Sequence, residues 1–150
     1  MRLEEEIVQK KFRSEQQKAV INIIFTSNWL NGIHNAHMKP YGITLPQFNI
    51  LRILRGQHPN PATIRLLTER MLDKMSNASR LVEKLRQKGY VERIICDHDR
   101  RQVNVTITQQ GLNLLSDIDV NLQHTEQDYF NRISEEEALQ LNAILDKLRG

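Results

Sequence analysis

The sequence has little that would cross-link a fold or anchor it in a membrane. Its 150 residues include one cysteine, Cys96, which excludes an internal disulfide framework and a zinc site built from several cysteines. The longest apolar run, residues 20–25, is interrupted by Asn22 and is too short to span a bilayer. Because the N-terminus also lacks an apolar signal core, we expect a cytoplasmic protein with no membrane partner.

Motifs of the common catalytic sites are missing as well. The sequence contains no glycine-rich phosphate loop, no Gly-x-Ser-x-Gly turn and no His-Glu-x-x-His pair. We therefore expect neither an enzyme nor a bound cofactor. Glycines and prolines at residues 40–42, 56–61, 89 and 111 instead divide the chain into segments whose patterns predict mostly helices.

Charge is distributed unevenly along the chain. Hydrophobic residues make up 39% and charged residues 26%, which is a globular balance. The formal net charge of +3 is the result of +8 in residues 1–111 and −5 in residues 112–150. A basic body with an acidic end favours a polyanionic partner for the body, and an ordinary fluctuation of charge is the alternative.

Apolar periodicity and capping signals predict six helices and one β-hairpin. Ser14, Thr44, Thr108 and Ser134 are candidate N-caps, and Thr44 and Ser134 start capping boxes with Gln or Glu three residues later. Gly89 follows the fourth helix, where a left-handed residue is favoured. We expect helices over residues 14–38, 44–56, 62–72, 74–88, 109–131 and 134–149, and a hairpin formed by residues 90–96 and 102–107 around a charged turn at 97–101.

This order predicts a mainly α protein with a small β-hairpin wing, a winged helix-turn-helix domain flanked by dimerisation helices. We expect an N-terminal dimerisation helix region at residues 1–38, the DNA-binding domain at 39–111 and C-terminal dimerisation helices at 112–150. The apolar faces of the terminal amphipathic helices are expected to be buried, and a second copy of the chain would bury them at a dimer interface. The alternative is that helix 109–131 folds back on its own domain.

Helix 62–72 and helix 74–88 would form the helix-turn-helix, in which residues 73–75 make the tight turn and residues 76–88 form the second helix, the one that enters the major groove. Short hydrogen-bonding groups and cations lie opposite its apolar stripe, where Asn pairs with adenine and Arg with guanine. Lys39, Arg52 and Arg65 are candidates for phosphate contacts. An ordinary solvated helix face is the alternative. The predicted base-reading residues are Ser76, Asn77, Ser79, Arg80 and Lys84.

The hairpin tip adds three basic side chains, His98, Arg100 and Arg101. Arginine on a narrow loop can enter the minor groove, where a narrow groove strengthens the negative potential. Asp97 and Asp99 oppose this use electrostatically, but an acid beside an arginine can also orient its guanidinium. The alternative is a charged turn that only contacts solvent.

The hairpin and the helix before it resemble the MarR family of bacterial winged-helix regulators. The family's wing signature runs from Asp-x-Arg through alternating β-branched residues to Thr and Gly, and residues 99–111 match it throughout. Segments 80–85 and 88–93 resemble the family's recognition helix and first wing strand. Segment 44–51 resembles the start of its second helix.

The resemblance implies a homodimer on a short pseudo-palindromic operator, with the recognition helices about 34 Å apart. It implies that Arg101 enters the minor groove, that Asp99 orients it and that Arg100 adds a further cation. We therefore predict a sequence-specific transcriptional regulator, a repressor that ligand binding releases from DNA. The alternatives are a winged-helix protein-interaction module without specific DNA binding and a ligand-independent architectural DNA binder.

The resemblance also implies a cleft for a small organic effector, anionic or phenolic, between the dimerisation helices and the DNA-binding domain. Packing at the dimer interface is the alternative role for the same side chains. His34 and His37 share one helix face, but a metal site needs a third ligand that we cannot identify, so no metal is predicted. The predicted ligand-binding residues are Trp29, His34, His37, Met38 and Tyr41.

Cys96 ends the first predicted wing strand. A redox role would need an accessible thiolate beside a cation such as Arg93 or His98. The chain has no second cysteine to resolve an oxidised one, so we expect an inert side chain.

Overall fold

The computed structural model describes the backbone of residues 1–96 and 99–150 and the side chains of residues 1–94 and 103–150. Helices dominate this part of the chain, and three short strands form a small antiparallel sheet. The elements are α1 (Leu3–Glu6), α2 (Glu15–Met38), a 3₁₀ turn (Lys39–Tyr41), α3 (Leu45–Gln57), β1 (Ala62–Thr63), α4 (Ile64–Arg70), α5 (Ala78–Gln87), β2 (Val91–Cys96), β3 (Asp99–Ile107), α6 (Gln109–Phe130) and α7 (Glu135–Arg149).

Four helices begin where their capping residues predicted. The side chains of Ser14, Thr108 and Ser134 each accept a hydrogen bond from the backbone N–H three residues later. At α3 the capping box is complete, because Thr44 Oγ1 accepts from the backbone of Gln47 and the Gln47 side chain accepts from the backbone of Thr44. These bonds satisfy N–H groups that the helix itself leaves unpaired, which explains why local sequence located the boundaries.

The prediction of a helix over residues 62–72 was wrong at both ends. Ala62 and Thr63 form β1, which pairs antiparallel with Val105 and Asn104 of β3. The helix α4 follows from Ile64 to Arg70, and the Thr63 side chain caps it. The pairing partner of β1 lies about forty residues further along the chain, so the local pattern held no sign of it.

The prediction that the next helix begins at Lys74 was also wrong. The Asp73 carboxylate accepts hydrogen bonds from the Met75 backbone N–H (2.9 Å) and from the Ser76 hydroxyl (2.7 Å). Such a side-chain turn competes with the helix for the same backbone donors. The helix α5 therefore starts at Ala78, with Asn77 as its cap, and residues 71–77 form an ordered loop.

The β2–β3 hairpin, which we call the wing, is confirmed, and β1 extends it to a three-stranded sheet of order β1-β3-β2. Val91 pairs with Ile107 at the base of the wing, and the register shifts between Ile95 and Cys96. The charged turn was predicted to reach residue 101, but β3 begins at residue 99. Asp97 and His98 lie outside the described residues.

One core joins α3, α4, α5, the sheet and the first half of α6. Leu51, Leu67, Val82 and Val105 from these elements are fully buried, and Leu115 completes the core from α6. The first half of α6 therefore packs on its own domain, as the alternative interpretation of that helix expected. Its last turns extend beyond this core.

The terminal helices carry apolar residues that this core does not cover. On α7, where no described residue is buried, Leu141, Ile144 and Leu148 are 48%, 64% and 60% exposed. Val20 and Ile24 of α2 are likewise exposed. Within the described residues, no helix combines the length and apolar character needed to cross a membrane.

Candidate nucleic-acid interface

The helix α5 separates a buried face from a polar one. Val82 and Leu85 are completely buried, and they fix the rotation of the helix against the core. Ser79, Arg80 and Lys84 are exposed on the remaining surface. These three predicted base-reading residues are therefore brought together on an accessible face.

The other two predicted base-reading residues precede the helix. Ser76 donates its hydroxyl hydrogen to Asp73 (2.7 Å), and Asn77 Oδ1 accepts from the Arg80 backbone (3.0 Å). Pairing of Asn77 with adenine would thus compete with its role as helix cap. The Ser76 hydroxyl and the Met75 backbone N–H hold the pKa of the Asp73 carboxyl below its ordinary value, which keeps the loop's central acceptor ionised.

A pair of arginines converges on Glu83 and ties α5 to the wing. Arg86 donates to Glu83 along two bonds of 2.9 and 3.1 Å, and Arg93 of β2 lies 3.3 Å from the same carboxylate. Arg93 also donates to the backbone carbonyl of Ser79 at 3.4 Å. The hydrogen bond from Arg86, with the charge of Arg93 as a smaller cause, lowers the pKa of Glu83 below its ordinary value. The contact of Arg93 with Glu83 could not be recognised from the local sequence, because the two residues lie ten positions apart on different elements.

The predicted wing-tip contacts fall on side chains outside the described residues. This applies to Asp99, Arg100 and Arg101 and to the thiol of Cys96. Their backbone belongs to β2 and β3, where Cys96 pairs with Asp99. The predictions for these four side chains therefore stay predictions.

The candidate phosphate-binding cations differ in their surroundings. Lys39 is exposed, Arg52 lies over the Phe48 ring at 5.7 Å, and Arg65 pairs with Glu69 at 2.8 Å. All three cations lie on the exposed surface of the chain.

The predicted ligand-binding residues separate into two groups in the structure. Trp29 packs edge-to-face on Tyr129 (5.9 Å between ring centroids), and His34 Nε2 lies 3.1 Å from the Tyr129 hydroxyl. Burial raises the pKa of Tyr129, and the charge of Glu126 adds to the effect. Tyr129 was not among the predicted ligand-binding residues, since nothing in the local sequence relates it to a histidine 95 residues away.

The remaining members of that predicted set lie elsewhere. Met38 is 1% exposed in the core and offers no surface to a ligand. Tyr41 accepts a hydrogen bond from Asn121 Nδ2 (2.6 Å) and donates to the Asp117 carbonyl (3.3 Å). His37 is half-buried. In the described part of the chain, no group of three or more His, Cys, Asp or Glu is placed to hold a metal ion.

An ion pair links α3 to α6 beside the Tyr41 contact. Arg55 Nη1 lies 2.5 Å from Asp119 Oδ2, and both side chains are about one third exposed. Together with the bonds of Tyr41, it attaches one turn of α6 to the 3₁₀ turn and to α3 by polar contacts as well as by the core. This attachment was not predicted from the sequence.

Comparison with known proteins gives consistent results. A family model described as MarR family matches residues 41–102. The HTH-type transcriptional regulator PecS of Dickeya dadantii (strain 3937) is 30% identical over 110 residues, which are 72% of this chain and 66% of that protein. The matched part thus spans just under two thirds of the relative's length.

Solved structures share the fold. A MarR-like protein of Bacillus cereus ATCC 10987 superimposes with a TM-score of 0.78 at 21% identity, covering 90% of this chain and 96% of that one. The S. aureus MepR–DNA complex gives a TM-score of 0.72 at 21% identity, covering 84% and 90%. The fold class predicted from the sequence, mainly α with a winged helix-turn-helix, is confirmed.

Proposed function

The chain belongs to the MarR family, and on this premise we propose that it is a homodimeric, sequence-specific DNA-binding transcriptional regulator of the cytoplasm. It represses by occupying a pseudo-palindromic operator, and it has no catalytic activity or cofactor. The observation that carries the proposal is the exposed face of α5, where Ser79, Arg80 and Lys84 stand opposite a buried stripe. Hydroxyl and guanidinium groups on such a helix are the donors that read base edges in the major groove.

The contacts of Arg93 with Glu83 and with the Ser79 carbonyl, which we call the brace, join α5 to the wing and support the same function. Because Arg93 joins Glu83 and the Ser79 carbonyl, a wing that follows the minor groove would move together with the helix in the major groove. The resemblance assigns the minor-groove contact to Arg101, with Asp99 orienting it and Arg100 as a further cation. The PecS relative is itself an HTH-type transcriptional regulator.

The uncovered apolar residues of α2 and α7 support a homodimer. Leu141, Ile144 and Leu148 follow the spacing of one helix face, and exposed apolar faces of this kind are typical of interfaces. A second copy provides an isologous partner, since both copies present the same faces. We propose dimerisation helices in residues 1–38 and 112–150 and the DNA-binding domain in residues 39–111, with the first half of α6 packed against that domain. The acidic C-terminal region would then lie on the side of the dimer away from phosphate.

A small aromatic anion or phenol is the proposed effector. Between α2 and α6, the indole of Trp29 packs against the Tyr129 ring and the imidazole of His34 contacts the Tyr129 hydroxyl. A planar ligand that enters there would change how the two helices pack and, through them, the distance between recognition helices. The ligand lowers the affinity of the protein for its operator only if it binds the free protein more tightly than the DNA-bound protein.

Selection of bound sites from a random duplex library with the purified dimer tests the function. We expect two inverted half-sites with centres about one helical turn apart, and a steep fall of log affinity with log salt concentration. Repeating the selection with a panel of aromatic carboxylates and phenols tests the effector. Failure to enrich any sequence would contradict the proposal and favour the protein-interaction module.

A further inference from the structure

The loop between α4 and α5 presents two apolar side chains to solvent. Leu72 is 88% exposed and Met75 is 93% exposed, whereas Met71 in the same loop is 1% exposed. Side chains so exposed gain no hydrophobic stabilisation from the fold of the chain itself. Their apolar surface is therefore available to a partner.

The loop is held by its own hydrogen bonds. The Leu72 backbone N–H donates to Asn49 Oδ1 of α3 (2.9 Å), and the Met75 N–H donates to Asp73 Oδ1 (2.9 Å). The Ser76 hydroxyl donates a second hydrogen bond to the Asp73 carboxylate. An ordered backbone thus fixes where the two side chains leave the loop.

The surroundings match the proposed DNA-binding surface. Met75 lies two residues before Asn77, the cap of α5, and the first turn of a recognition helix is the part that approaches base edges. Exposed cations flank the pair at Arg70, Lys74 and Arg80, and because Asp73 is the single acid in this stretch, residues 70–80 carry a formal charge of +2. Positive charge around the apolar carbons favours a polyanion over a second copy of this basic domain.

We infer that Leu72 and Met75 are specificity-determining residues that contact the C5-methyl groups of thymines in the major groove. This inference rests on the proposed function and deepens it. Thymine is the base that presents a methyl group on the major-groove edge, and apolar side chains are its partners. The sequence pattern placed Leu72 at the end of a helix and Met75 in a turn, so exposure was the observation that singled them out.

The test uses the full-length protein and the duplex recovered by selection from the random library. Each thymine of a half-site is replaced by deoxyuridine, which removes only the methyl group. Affinities are measured by fluorescence anisotropy at one fixed salt concentration for the wild type, Leu72→Ala and Met75→Ala. Val8→Ala is the matched control, because Val8 is 89% exposed but lies outside the helix-turn-helix.

We expect at least one thymine whose replacement weakens wild-type binding about fourfold, the effect of burying one methyl group. That sensitivity should disappear in Leu72→Ala or Met75→Ala and persist in Val8→Ala. Tight, specific binding with no sensitivity to the methyl groups, or with sensitivity unchanged in both variants, would overturn the inference and leave the proposed function standing. Half-sites without thymine would overturn it too. A selection that enriches no sequence would overturn both.

Discussion

The guanidinium of Arg93 in the wing lies 3.3 Å from the carboxylate of Glu83 in α5. A negatively charged residue in the middle of a proposed recognition helix would by itself repel phosphate. Here it holds two cations, Arg86 and Arg93, and connects the helix to the wing. Its contribution to binding is therefore expected to be the opposite of what its charge alone suggests.

Glu83→Gln should weaken operator binding several-fold while binding to random DNA does not weaken. Glutamine keeps the shape of the side chain but loses the charge that holds both guanidiniums, so the wing and helix lose their fixed relation. Because the pKa of Glu83 is lowered, its pairing is present above the ordinary carboxyl value and is lost only as the pH falls through the lowered one. Gel-shift titrations at neutral pH therefore measure the paired state.

Glu92→Gln on β2 is the control for charge, since it removes an exposed acid from the same region. It should strengthen binding to both DNAs slightly. If the two variants behaved alike, Glu83 would act through its charge and not through the brace.

Arg101→Ala should weaken operator binding about tenfold or more and leave the dimer intact. The wing motif assigns this arginine to the minor groove, where it would also neutralise phosphate charge. The slope of log affinity against log salt should then decrease by about one. Arg132→Ala, near the turn between α6 and α7, serves as the comparison. An unchanged titration with Arg101→Ala would show that the motif does not carry this role here.

The Arg55–Asp119 pair should couple in a double-mutant cycle of unfolding free energies. Because both side chains are about one third exposed, solvent screens the pair, and we expect a coupling of at most about 1 kcal/mol. Arg65 and Glu69, which are more exposed, form the comparison pair and should couple more weakly. Urea unfolding at one protein concentration measures both. Equal coupling in the two pairs would argue against a structural link between α3 and α6.

Gly111→Ala should destabilise the fold by about 1–3 kcal/mol, the usual effect of overpacking. A Cβ atom at this position would lie 2.4 Å from the Tyr90 carbonyl oxygen and 2.8 Å from Ile107 Cγ1, so the start of α6 would have to move from the wing. Gly56→Ala is the control, because a Cβ there meets nothing within 4 Å. It should be neutral or stabilise helix α3 by up to about 1 kcal/mol. Thermal melting measures both variants. An equal decrease in melting temperature for the two would contradict the close packing of Gly111 against Tyr90 and Ile107.

Ile144→Glu combined with Leu148→Glu should dissociate the proposed dimer while α3–α6 stay folded. Both side chains are well exposed in the single chain, so the charges carry no burial cost there, but they would in an interface. Asn142→Glu adds charge on a side of α7 that faces away from Ile144 and Leu148 and should leave the proposed dimer intact. Sedimentation velocity distinguishes the two states. A dimer that survives the double substitution would move the interface away from α7.

Local features of the sequence predicted most of the elements. The four N-caps, the glycine at the end of α5 and the alternation in the wing act within a few residues, so they could be recognised without coordinates. The wing motif pointed to the family for the same reason, since its residues are consecutive. The residues assigned to DNA contact also came from these consecutive stretches, and Ser79, Arg80 and Lys84 lie together as expected.

The chain's order of helices, its wing and its family were determined by the amino-acid sequence alone, because short-range hydrogen bonds and apolar periodicity encode them. Only the tertiary structure decided that Ala62 joins a sheet, that Arg93 reaches Glu83, that His34 meets Tyr129 and that Met75 stays exposed. The sheet, the brace and the tyrosine contact join residues far apart in sequence. The exposure of Met75 depends on where neighbouring elements leave space, and packing of the whole chain determines that.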